Sequence, residues 1–150
     1  MSAIKARLTE DMKTAMKSGD KSRLGVIRLL LAALKQKEVD ERIVLSDEDV
    51  LGILTKQAKQ RRESIAQFQS AGRQDLVDAE QAELVIIESY LPASLDEPSI
   101  RAVIQAEIAV LGATGVAQMG AVMNAVRGKL AGRADMAQVS QWVKAALTST

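Results

Sequence analysis

The sequence predicts an all-α protein, and three observations carry that prediction. Apolar residues recur at steps of three and four almost from end to end, the spacing that lines one face of an α-helix. No alternating apolar–polar segment of strand length competes with them. The interruptions fall at Gly, Pro, Ser and Asp, the residues that stop and cap helices. A hydrophobic fraction of 47% suffices for a core. With one Trp, one Tyr and one Phe in 150 residues, that core must be built from Leu, Ile, Val, Ala and Met.

The elements follow in order. Ile4, Leu8, Met12 and Met16 recur at steps of four and predict a first helix from Ser2 to Lys17, ended by Gly19, with Asp20 capping the next. Leu24, Ile27, Leu31 and Leu34 form the seam of a second helix ending near Val39, and Asp40 to Leu45 reads as a loop. Ser46-Asp47-Glu48-Asp49 supplies a hydroxyl cap and acids at the positive end of a third helix, whose seam is Leu51, Leu54, Ala58, Ile65 and Phe68. Gly72 stops it. Asp75 starts a fourth helix carrying Leu76, Ala79, Glu83, Ile87 and Tyr90. Pro92 has no N–H and pushes Leu91 out of helical geometry, so residues 1–92 are expected to form an N-terminal four-helix subdomain. Residues 93–150 are expected to form a C-terminal three-helix subdomain. Asp96 with Pro98 opens its first helix, Ile100 to Leu111. Met119 to Leu130 makes the second, and Val139 to Leu147 the third, with Asp135 as its cap. A bundle this small is marginal alone.

Composition excludes more chemistry than it admits. The chain has no His and no Cys, so the commonest general base, the thiolate nucleophile and the usual transition-metal ligands are missing. No glycine-rich phosphate loop is present, since Gly128-Lys129 and Gly132-Arg133 lack the spacing of one. No catalytic residue, metal site or cofactor is expected. With 20 Lys+Arg against 19 Asp+Glu, net charge +1, a polyanion partner would have to meet local patches. No apolar run is long enough for a bilayer, and the amphipathic start is unlike a signal peptide. A soluble, cytoplasmic protein without membrane association is the expectation.

Several residues stand out against this background. Arg61 falls on the seam of the third helix, where it must snorkel to solvent or find a carboxylate. Glu83 is the first choice of partner. Glu80, Glu83 and Glu88 could form a metal or acid–base group, but a solvated helix face explains them better. Lys21, Arg28 and Lys35, seven apart, share one stripe of helix two, and Lys13, Lys17, Lys56, Lys59 and Arg62 add to the positive surface. Interleaved acids make a balanced surface the preferred reading there. In the C-terminal part Arg127, Lys129, Arg133 and Lys144 outnumber nearby acids around two glycine turns, where an RNA backbone could be held. Met12, Met16, Met119, Met123 and Met136 read first as core filling and second as an adaptable partner groove.

Taken together, Asp11-Met12-Lys13, Ala15-Met16-Lys17, Arg23-Leu24, Ile27-Arg28, Ala33-Leu34-Lys35, Lys59 through Ser64, Ala71-Gly72-Arg73 and Asp75-Leu76 make a pattern. It continues through Glu88, Tyr90-Leu91-Pro92, Met119-Gly120, Val122-Met123 and Gly132-Arg133-Ala134-Asp135. The pattern resembles the YqeY proteins over essentially the whole chain. The family is related to the tail of GatB, a subunit of the glutamine-dependent amidotransferase that converts mischarged Glu-tRNA or Asp-tRNA. The resemblance implies an all-α fold and a part in holding tRNA. It also implies the family label of carbon–nitrogen ligase activity with glutamine as amido-N-donor, although the catalytic cradle of GatB has no counterpart here. Where the family pattern carries an acid before Met119-Gly120 and a Lys after, this chain has Gln118 and Ala121.

The leading expectation is a helical accessory module, not catalytic alone, that binds tRNA or a tRNA–protein complex. Arg127, Lys129, Arg133 and Lys144 would contact phosphates, Gly120 would admit close backbone approach, and Asp135, Arg61, Glu83, Tyr90 and Pro92 would be structural. The alternative is a protein–protein module that docks a tRNA-charging enzyme or another partner without touching RNA. A third reading makes the chain a working component of an amidotransferase.

Overall fold

The computed structural model describes residues 2–148. Among these it contains seven α-helices, one short 3-10 turn and no strand. Packing divides the chain into two compact units, the first ending at Pro92 and the second beginning at Ala93.

The first unit holds α1 (Ala3–Ser18), α2 (Lys21–Glu41), α3 (Asp47–Ser70) and α4 (Gln74–Glu88). Its helix ends follow capping chemistry closely. Ser2 accepts from Lys5 N, Asp20 from Arg23 N, and Ser46 and Asp49 form a reciprocal capping box. Gly19 and Gly72 take left-handed φ values of 72° and 71°, open to glycine without Cβ strain. Leu8, Ile27, Leu30, Leu34, Leu54 and Ile87 lie fully buried at the centre of this unit. α1 packs on α2, and α3 packs on α4.

Three expectations are corrected in this unit. α2 runs to Glu41, because Arg42 adopts φ 54° and supplies the left-handed stop without a glycine. The residues that follow, 42–46, form the expected loop, and Leu45 anchors it in the core. α4 ends at Glu88, so Tyr90 lies in the turn beyond it and not on the helix. Finally, a strict step of four drifts around a 3.6-residue helix and by Met16 has turned about 120° from Ile4. The core contact passes to Ala15, and Met16 is 53% exposed.

The second unit holds α5 (Glu97–Leu111), a 3-10 turn at Val116–Gln118, α6 (Met119–Leu130) and α7 (Met136–Thr148). Asp96 caps α5 by accepting from Ser99 N, with Pro98 in the first turn, and Gly112 ends it. Ile104, Val122, Val126, Leu130, Val139, Val143 and Leu147 are the buried centre, with Met119, Met123 and Met136 packed around them.

The ends of helices sense pH. The Ser2 hydroxyl, then the Ile4 N–H, hold the Asp47 carboxyl below the usual carboxylate value. The Ser46 N–H does the same for Asp49, and Ser99 for Asp96. A depressed folded value means that the ionised form stabilises the fold above the unfolded value of about 3.9. That stability is lost as pH falls through the lower folded values. Denaturant titrations from neutral pH to about pH 3 should therefore show falling stability below the ordinary Asp value. Asp47→Asn and Asp49→Asn should flatten that fall, and an unchanged slope in both variants would remove these caps from the explanation.

Arg61 and its neighbour Arg62 offer a contrast in burial. The Arg61 side chain is 14% exposed and faces two α4 carboxylates, whereas Arg62 is 52% exposed and pairs with Glu88. Arg61→Ala strands half-buried carboxylates and is expected to cost about 1–3 kcal/mol. Arg62→Ala should stay within about 1 kcal/mol. Urea unfolding of the two variants checks the difference.

Candidate nucleic-acid interface

The cations of the second unit are placed by its two turns. After α6 the backbone of Gly132 turns left-handed at φ 75°, and Arg133 N–H donates to Leu130 O at 2.9 Å. Arg133 then clasps the opening segment of the unit. Its carbonyl accepts from Leu95 N at 3.0 Å, and its Nε donates to Ala93 O at 3.3 Å. These bonds fix the guanidinium at the mouth of the turn. Asp135 is engaged at the start of α7, where its Oδ1 accepts from Ala137 N at 3.1 Å. Arg127 reaches Asn124 Oδ1 at 3.2 Å along the exposed side of α6, and Lys144 is exposed on α7.

Lys129 has a different situation. Its ammonium is bonded to Glu107 of α5, whose side chain is only 8% exposed, although Lys129 itself is 62% exposed. Glu107 is thus a buried charge, and among the described residues Lys129 is its salt-bridge partner. Helical phase already put Glu107 on the seam, three residues after Ile104, but the sequence reading passed over it. Gly120 lies exposed on α6, and a Cβ built there meets nothing within 4 Å. Among the described residues no neighbour requires glycine at that position.

Two further features were not singled out from sequence. Gln118 Oε1 accepts from both Gly115 N, at 2.9 Å, and Thr114 N, at 3.2 Å, so its amide does the acceptor work open to an acid at that position. Arg101 stacks over Trp142 at 4.8 Å while its Nε bonds Glu97 at 2.8 Å. The lone indole thus serves as a platform for an internal guanidinium.

In the first unit the remaining chosen residues are structural ties. Arg61 Nε donates to Glu83 Oε2 at 2.8 Å and lies 3.5 Å from Glu80 Oε2. Arg62 reaches Glu88 at 3.2 Å. The three α4 acids are therefore not a freely solvated face: two α3 arginines hold them. Among the described residues no group of three or more possible ligating side chains could hold a metal. The Tyr90 hydroxyl donates to Asp11 Oδ2, and Arg7 lies 4.5 Å over the Tyr90 ring and donates to Ser89 O at 3.0 Å. Burial first, then the Asp11 carboxylate, push the Tyr90 phenol above its ordinary value, keeping it a neutral donor. Pro92 is exposed and ends the first unit.

Comparison with known proteins gives the chain its family. A family model described as "Yqey-like protein" matches residues 5–147. The protein named "Altered inheritance of mitochondria protein 41, mitochondrial" of Pyrenophora tritici-repentis is 31% identical over 142 residues, 92% of this chain and 77% of the relative. Proteins of the same name from Eremothecium gossypii and Kluyveromyces lactis are 44% and 41% identical over 89 and 103 residues. Those matches take in 59% and 65% of this chain. They cover 49% and 56% of the relatives, so the chain spans about half their length.

These names overturn the cytoplasmic expectation, because the relatives are mitochondrial by name. The physical reason is that the expectation rested on hydropathy. Among the described residues no single helix is long and apolar enough to cross a membrane, but a water-compatible surface suits an organelle interior as well as the cytosol. Matched along nearly its whole length, the chain belongs to the YqeY family.

Proposed function

We propose that this chain is a noncatalytic helical accessory module that docks tRNA, or a tRNA–protein complex, through the second unit. The observation that carries the reading is a charge imbalance created by internal pairing. In that unit Glu97 is paired with Arg101 and Glu107 with Lys129. Asp96 and Asp135 are engaged at helix starts. Arg127, Arg133 and Lys144 remain with no salt bridge among the described residues. Cations without internal carboxylates are available to phosphates, and a few such contacts give affinity that depends on salt more than on sequence. Lys129 leaves the contact set, because its charge compensates Glu107. Gly120 stays in the reading only as an uncrowded stretch of α6 backbone. The near absence of aromatic platforms argues against stacking on bases as the main source of affinity. In this reading amide-transfer chemistry comes from the docked complex, since the catalytic cradle of GatB has no counterpart in this chain.

The test is titration of labelled total tRNA between low and moderate salt, comparing the native chain with a combined Arg127→Ala, Arg133→Ala, Lys144→Ala variant. Each lost phosphate contact should lower the slope of log affinity against log salt by roughly 0.7–0.9. No measurable affinity at low salt, or an unchanged slope in the variant, overturns the proposal. Lys129→Ala should behave differently. It is expected to lower folding stability by about 1–3 kcal/mol through the stranded Glu107, with Glu107→Leu recovering much of the loss. Thermal and urea unfolding read that difference without RNA.

A further inference from the structure

A groove of about 480 Å³ runs along the first unit. Its floor is Met12 of α1 with Leu31, Ala32 and Val39 of α2, and its polar lining is Arg28, Lys35 and Gln36. Five of these α2 positions, from Arg28 through Leu31, Ala32 and Lys35 to Val39, follow steps of three, one, three and four. That is a single helix face. The floor is not finished core: Val39 is 60% exposed, and Met16 of α1, 53% exposed, adds apolar surface one turn beyond Met12. Ile43 and Val44 extend exposed apolar surface past the end of α2.

Charge indicates what fits this groove. Of the cations on this helix, Lys37 pairs with Glu41. Arg28 and Lys35 are exposed and form no salt bridge among the described residues, and Lys21 continues their stripe one heptad earlier. The nearby acids are already engaged: Glu38 by Lys5 and Asp40 by Gln36. Two unpaired cations thus border an apolar trough, and their seven-residue separation is about 10.5 Å along the helix. A second copy of the chain suits the trough poorly. A two-fold interface would lay the same surface against itself and bring the Arg28–Lys35 stripes together.

We infer that the α1–α2 groove is the docking site for an acidic amphipathic helix of a partner protein. Its apolar anchors recur at steps of three and four and enter over Met12, Leu31 and Val39. Two of its carboxylates, about two turns apart, meet Arg28 and Lys35. α1 and α2 supply two walls, and the partner helix lies between them as a third.

The probe is a labelled helical peptide of about five turns with Leu anchors at that spacing and Glu residues seven apart. A version with Lys in place of Glu, and a scrambled acidic version, serve as controls. Binding to the full chain is followed by fluorescence anisotropy and by methyl NMR. The acidic helix should bind and shift the Met12, Leu31 and Val39 methyls, and both controls should bind at least about tenfold more weakly. Arg28→Glu with Lys35→Glu, both exposed positions, should invert the preference so that the Lys peptide binds better. Val39→Glu should weaken all peptides without lowering the melting temperature. Equal binding of acidic, basic and scrambled peptides overturns the inference, as do methyl shifts confined to other residues. Self-association of the chain that is abolished by Val39→Glu would assign the groove to a second copy and likewise overturn it. Loss of tRNA affinity in the Arg28→Glu, Lys35→Glu variant without any peptide binding would assign the stripe to RNA, with the same consequence.

Discussion

An aliphatic core leaves little tolerance for a charge on a seam, and this protein places one on a seam in each unit. Arg61 on α3 and Glu107 on α5 both occupy core-facing phase, and both are compensated by opposite charge from a neighbouring helix. The rest of the architecture is arranged around that requirement. Each unit can be assembled from Leu, Ile, Val, Ala and Met at helical spacing only because its buried charge brings its own partner along. An unpaired charge in such surroundings would cost more than the packing of a single aliphatic residue returns.

The two pairings have different consequences. Around Arg61 the ion pairs join α3 to α4 and absorb acids that would otherwise present a negative face. Around Glu107 the pair takes one lysine out of a basic group and leaves Arg127, Arg133 and Lys144 with no salt bridge among the described residues. What looks in composition like near neutrality is therefore uneven once internal pairing is subtracted. The positive character available to a partner depends on which carboxylates are already engaged, not on the net charge of +1.

Family membership and geometry bear on function at different levels. The YqeY match covers residues 5–147 and gives the chain its family. It leaves open what the surfaces touch, and there the exposed features divide by unit. The second unit offers cations and backbone near glycine turns, the features on which the proposed phosphate contacts rest. The first offers an apolar trough bordered by Arg28 and Lys35, on which the inferred helix docking rests. In the proposed reading the module acts by bringing macromolecules together.

Much of the fold was legible in the linear order of residues because its signals are local. Ser46 with Asp49, Asp96 with Pro98, and Gly19, Gly72 and Gly112 mark helix ends through bonds spanning a single turn. The aliphatic spacing reports which face of each helix meets its neighbours. The less legible parts were those in which local signals were weak or partners lay far apart. Arg42 stopped α2 in a left-handed conformation that its residue type does not signal. Met16 drifted out of the core because real helices turn 3.6 residues and not 4. Glu107 found Lys129 across two helices, and Tyr90 found Asp11 at a separation of 79 residues. The amino-acid order by itself determined where helices form, how they are capped and which stripe they bury. The tertiary structure decided which charges neutralise one another and so which remain for a partner, because Coulomb pairing depends on distances in space that sequence separation does not encode.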